Sequence, residues 1–208
     1  GNCIIDDKVC CEASYNEIIR RFYDAKCNLC KGLADADVVY KIELLMKQCG
    51  ITTSYRKVCE PCIKKAADTG KPAAAIELHD GTIITGKTSS LLGASSAMLL
   101  NALKYLAGID DEVCLIKPSV IEPMQELKTV YLGNSNPMLH IDEILVALAI
   151  CASTDANARR AMDCLCGLAG SEMHSSVILS EVDVKVIKKL HINLTCEPIY
   201  QSKKLYHK

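Results

Sequence analysis

Four groups of residues in this chain have types and spacings that can do chemistry. The first is GTIITGKT, Gly81 to Thr88, which fits the phosphate-cradling pattern G-x-x-x-x-G-K-[ST] letter for letter. In a P-loop the four residues between the glycines curl so that their amides converge on phosphate. Here those residues are Thr82, Ile83, Ile84 and Thr85, and β-branched side chains favour extended backbone over tight bends. Asp80-Gly81 is also a pair that closes a hairpin, because glycine tolerates positive φ. The stretch therefore reads as turn and strand, and the pattern match as coincidence. What it leaves is GKTSS ahead of an expected helix, with Lys87, Thr88, Ser89 and Ser90 at the helix start. Free amides beside a cation there suit a small anion; the plainer role of the same residues is capping.

The second group is cysteine. Cys27-x-x-Cys30 and Cys59-x-x-Cys62 are two pairs separated by residues 31–58. Four thiolates can hold zinc, but zinc-ribbon pairs sit closer in sequence and these lie in or beside helical stretches. They read as small packing residues, so no metal and no cofactor is expected. Cys164 and Cys166 fall on opposing sides of a helix. The third group is HIDE, where His140 can cap or titrate near neutrality. Asp142 and Glu143 lie in the first turn, against the positive end of the helix dipole. His140 and Glu143 are candidates for acid/base work, with capping as the plainer account. The fourth is HSSVILSEVD: His174, Ser175 and Ser176 could face a pocket, while Ser180, Glu181 and Asp183 read first as helix-start residues. No Asp partner is defined by spacing, so no Ser-His-Asp triad can be assigned.

Composition narrows the classes. The chain has 208 residues, a formal net charge of -1 and 24% charged residues, so no global basic field draws it to nucleic acid. The basic tail QSKKLYHK reads as solvated. No apolar run is long enough to span a membrane, and no signal segment opens the chain. Thirteen cysteines are an odd number, several in apolar stretches, which points to mostly reduced thiols and a cytoplasmic location. The opening GNCIIDD lacks Met, which suggests a piece of a longer protein.

These residues must be positioned by α/β or α+β layering. Helical periodicity predicts one helix ending near Gly32, a second from Asp35 to Gly50 and a third from about Pro61 to Asp68. TGKP (69–72) then separates a helical subdomain, residues 1–70, from a layered α/β domain, residues 71–208. In the latter, AAAIEL and IITG flank a hairpin turn, and SSLLGASSAMLLNALKYLAG is a buried helix. Helices follow at SVIEPMQELKTVYL, HIDEILVALAICAS and ANARRAMDCLCGLAG. HSSVILS (174–180) reads as a buried strand, EVDVKVIKKL as a helix and HINLTCEP as a last strand.

The runs YKIELLMKQCGI, GKPAAAIELHDGTIITGKTSSLLGASSAMLLNALKYLAGI, HIDEILVALAICA, HSSVILSEVD and INLTCEPIYQSKKLYHK resemble the C-terminal part of uncharacterised protein family 0371, a bacterial family. The resemblance covers nearly the whole chain. It implies a longer protein whose missing N-terminal part carries its own phosphate-loop-like segment, and a C-terminal fold similar to the layered arrangement of cytidine deaminases. It does not imply their chemistry. The signature H-x-E with P-C-x-x-C is absent, because Asp142 stands where the Glu should be and CEPC has its Pro between the cysteines. The chain also departs from the family pattern at Cys27, Cys30, Cys59, Cys62, Cys164 and Cys166, which speaks against a family-wide metal role.

The expectation is a ligand- or substrate-binding C-terminal portion of a cytosolic enzyme that recognises a small anionic metabolite near Lys87–Ser90. Two alternatives stand beside it: a non-catalytic interaction or homo-oligomerisation domain, and a zinc-stabilised module. Neither nucleic acid nor a membrane is expected as a partner.

Overall fold

The chain enters its fold through a long helix, α1 (Asp7–Cys30), started by the Asp6 carboxylate, which accepts from the Val9 amide at 3.0 Å. The computed structural model describes residues 5–201; most of the basic tail lies outside them. Helix α2 (Ala36–Cys49) follows and stops where Gly50 takes φ 66°. Asp35 precedes it without making a side-chain capping bond. Helix α3 (Cys59–Thr69) starts two residues ahead of Pro61, because Val58 already has helical dihedrals, φ -70° and ψ -20°.

The sheet is mixed, in the order β2-β1-β3-β4. β1 (Ala73–Glu77) and β2 (Ile83–Lys87) form the predicted hairpin, with Gly81 at φ 81° in its turn. β1 also pairs antiparallel with β3 (Glu172–Ser175), and β3 pairs parallel with β4 (Asn193–Cys196). Ala73 to Ile76 are all fully buried, as befits a central strand covered on both faces. On one face Ala74, Ile76 and Met173 join the main core with α4 (Ala94–Leu106), α6 (Ile141–Cys151), α7 (Ala156–Asp163) and α8 (Glu181–Lys189). On the other, Ala75 joins Ile19, Phe22, Val39, Met46 and Cys62 of α1–α3. The protein is thus a mixed α/β fold with, among its described residues, eight α-helices and four strands.

Three boundaries differ from the sequence reading. The helix expected directly after Gly86 begins only at Ala94. Lys87 ends β2, and Ser89 Oγ accepts from the amides of Leu91 and Leu92 in a local turn that holds 88–92 irregular. The strand expected over 174–180 spans 172–175 instead. Ser175 Oγ donates to the Val177 carbonyl and accepts from its amide, bending the chain off the sheet, so 177–180 is irregular. The helix expected over ANARRAMDCLCGLAG stops at Asp163 and continues as a short 3-10 turn, Leu165–Leu168. Between α4 and α6, α5 (Pro118–Glu126) passes into a π-helical turn, Leu127–Tyr131.

Candidate functional site

A cavity of about 230 Å³ lies where the N-terminal ends of α4, α6 and α8 come together. Gly93 leads into α4 with extended backbone and no side chain to cap with. The first α4 amide with a backbone partner is that of Ala97, which donates to Gly93 O. The amides of Ala94, Ser95 and Ser96 have no acceptor among the described residues, and all three residues line the cavity. Ser96 Oγ donates to Leu139 O at 3.0 Å. Ser95 is only 3% exposed and its hydroxyl has no hydrogen-bond partner among the described residues. Thr88 lines the cavity from the end of the hairpin.

The opposite wall is fixed by one carboxylate. Asp183 Oδ1 accepts from the Ile141 amide at 2.9 Å, which ties the start of α6 to α8. Its Oδ2 lies 3.1 Å from His140 Nδ1 and accepts from Ser180 Oγ at 2.9 Å. With Nδ1–H donating to Asp183, Nε2 is the ring nitrogen left for other work. The hydrogen bond to Asp183 raises the His140 pKa above its ordinary value, against the opposing effect of partial burial. For Asp183, burial alone would push the carboxyl up. The bonds from His140, the Ile141 amide and Ser180 outweigh it and hold the group below the usual range.

Glu143 stands behind this wall. Its carboxylate accepts from the His140 amide at 2.7 Å and from buried Lys128 at 2.8 Å, and Lys128 also donates to Met138 O. It does not line the cavity.

The other candidates are placed elsewhere. Lys87 and Ser90 are exposed and Ser89 is spent on its turn, so of the four only Thr88 reaches the cavity. His174 is fully buried within the sheet, with Nδ1 2.8 Å from Thr195 Oγ1 and Nε2 3.2 Å from Glu197 Oε1. Burial pushes its pKa down despite the Glu197 contact. Ser176 Oγ accepts from the Ala73 amide and so ties the chain to β1, and the Ser175 hydroxyl is spent on Val177.

Cys59 and Cys62 pack in the core beneath α1–α3, whereas Cys27 packs with Cys196 and Cys30 is exposed. The two pairs are therefore not brought together. All twelve described cysteines are free thiols, and Cys3 lies outside the described residues. No described helix is long and apolar enough to cross a membrane.

Sequence reasoning missed two features. One is the uncapped start of α4, whose only signal is the small-residue run GASS. The other is Arg56, 2% exposed, whose guanidinium donates to Thr195 Oγ1, Glu172, Met173 O and Asn193 O. Glu172 also accepts from Arg20 of α1 at 3.0 Å. Nothing in the spacing of these residues announces that they meet.

The family model described as "Domain of unknown function DUF1846, C-terminal" matches residues 54–206, and its N-terminal counterpart matches residues 1–50. The chain belongs to the DUF1846 family. Its DUF1846 relatives include UPF0371 protein DIP2346 of Corynebacterium diphtheriae, 49% identical over 208 residues. A UPF0371 protein of Corynebacterium aurimucosum is 48% identical over 209 residues, and UPF0371 protein stu1377 of Streptococcus thermophilus 48% over 208. Each match covers 100% of this chain and 42% of the relative, so the DUF1846 chain described here spans less than half the length of these relatives. The resemblance to family 0371 is borne out by these names.

Proposed function

We propose that this chain is the ligand-binding C-terminal portion of a cytosolic enzyme, and that it takes a small anionic metabolite in the cavity between α4, α6 and α8. The observation that carries this reading is the open start of α4. The first amides of a helix have no intrahelical partner, and here those of Ala94, Ser95 and Ser96, with the Ser95 hydroxyl, have no partner among the described residues and line one walled space. A helix of 13 residues directs the positive end of its dipole there, and an anion satisfies all of these groups at once.

Thr88 adds a hydroxyl, and exposed Lys87 beside it supplies attraction on the approach. At about 230 Å³ the cavity is smaller than the roughly 300–1,000 Å³ clefts that hold drug-sized ligands, which favours a small metabolite over a nucleoside triphosphate. His140 is the acid/base group of the site and Glu143 holds it in place. In this reading residues 71–208 carry the cavity in a deaminase-like layer arrangement without deaminase chemistry, and residues 1–70 buttress the sheet from behind.

Titration of phosphate, small carboxylates and ATP against wild type and Ser95→Asp tests the proposal. The variant places a carboxylate at the open helix start, where it is compatible with the dipole. Small anions should bind without magnesium, and Ser95→Asp should weaken them by roughly ten- to a hundredfold, the size of a lost charge-assisted contact. Unchanged binding in the variant, or magnesium-dependent preference for ATP, would defeat the reading.

A second reading, an interaction or homo-oligomerisation surface, is favoured by the exposed apolar residues Leu127, Val130 and Tyr131 of the π-turn, Leu132 just after it, and Val146 and Ile150 of α6. Sedimentation velocity at increasing concentration tests it. A monomer throughout would remove the homo-oligomer.

A further inference from the structure

Among the described residues lining the cavity, only His140 and Asp183 carry ionisable side chains. The lining from α4, from 134–139 and from 177–180 contributes none. Behind the wall, Lys128 and Glu143 are paired at 2.8 Å and cancel. At the start of α8, Glu181 is exposed and pairs with Lys185. The charge that these described lining residues turn toward a ligand is therefore set by one proton. With His140 neutral, the His140–Asp183 pair carries one negative charge and opposes an anion held at the α4 amides. With His140 protonated, the pair is neutral and the ring offers Nε2–H as a further donor. The cavity wall cannot escape this dependence, because Asp183 also accepts from the Ile141 amide and Ser180 and so is held in place.

We infer that anion binding in this cavity is coupled to the uptake of one proton by His140, and that the coupling selects doubly charged oxyanions, such as phosphate monoesters or dicarboxylates, over monoanions. The inference rests on reading the cavity as an anion site and adds to it the substrate's charge and a dependence on pH. A bound dianion leaves one charge beyond what the helix start compensates, and the imidazolium supplies the match. By linkage, the ligand that prefers the protonated form must raise the His140 pKa by the logarithm of its preference. The free protein already leans that way, since the Asp183 contact favours the imidazolium.

Sulfate and formate are the probes, because both keep their charge between about pH 5.5 and 9 while His140 titrates. Calorimetric titration of sulfate above the free His140 pKa, in two buffers of different ionisation heat, should register uptake approaching one proton. Sulfate affinity should fall by at least roughly tenfold as pH rises through the His140 transition, the size of a lost charge-assisted contact, and formate should bind more weakly throughout. His140→Asn keeps a donor toward Asp183 but cannot titrate, so its sulfate affinity should not change with pH. Asp183→Asn keeps an acceptor for the Ile141 amide and should bind sulfate more tightly than wild type at high pH. Sulfate binding with no proton uptake, or an unchanged pH profile in His140→Asn, overturns the inference and leaves the anion site standing. Failure of both anions to bind overturns the two together.

Discussion

At the scale of single residues, the cysteines divide by environment. Burial pushes the Cys27 and Cys59 thiols up to about 11 and those of Cys62 and Cys196 up to about 12. The thiolate is the nucleophile, so these four should resist alkylation at pH 8 until the protein unfolds, while exposed Cys10, Cys11, Cys30, Cys114 and Cys166 react at once. Peptide mapping after a short iodoacetamide pulse checks this, and labelling of Cys62 in the native protein would contradict it. That Cys27, Cys59 and Cys62 act as packing groups was legible in the sequence, but the same reading failed for exposed Cys30, and which face of the sheet each would pack on was not legible. Arg56 was not legible at all, since a lone Arg in SYRKV has no pattern that places it beneath a sheet. Arg56→Met should cost about 2–4 kcal/mol, because it leaves the Met173 and Asn193 carbonyls without their guanidinium donor and takes from Glu172 one of its two arginines. A urea melt measures that loss, and Arg56→Lys should not rescue it, since one ammonium cannot reproduce the planar fork.

At the scale of elements, the two glycines of GTIITGKT carry different burdens. Gly81 needs positive φ, and a Cβ there would meet nothing within 4 Å. Gly81→Ala should therefore cost only the left-handed penalty, about 1–2 kcal/mol. Gly86 has ordinary dihedrals, but a Cβ there would sit 2.1 Å from the Met98 amide nitrogen of α4. Gly86→Ala must push the helix off the strand and should cost more than about 4 kcal/mol, or prevent folding. Thermal melts of the two variants compare them directly, and equal losses would refute the distinction. Residue types alone identified the turn at Asp80-Gly81, because hairpin chemistry is local. The close helix–strand crossing at Gly86 depends on a residue twelve positions away, and local propensity does not encode it. The same limit displaced the start of α4: GKTSS has good capping residues, but Leu92 is drawn into a bridge with Leu139 and delays the helix.

At the scale of the whole molecule, the two inner histidines act on stability with opposite sign. His140 has a raised pKa in the folded state, so its contribution is full below the unfolded value of about 6.5 and is lost as pH rises through the folded value. For His174 the folded pKa is depressed, so its contribution is full above about 6.5 and is lost as pH falls through the folded value. Replacing His140 by Asn should therefore cost more at pH 5.5 than at 8.5, and replacing His174 by Gln should cost more at 8.5. Urea denaturation of both variants at the two values checks the signs. The seam at Glu172 carries a mechanical consequence as well. Its carboxylate grips Arg20 of α1 on one side and Arg56 on the other, and it opens β3. β3 in turn runs within two residues into the 177–180 segment that walls the cavity. A pull on α1 thus has a continuous path, through ion pair, strand and loop, to the rim of the cavity.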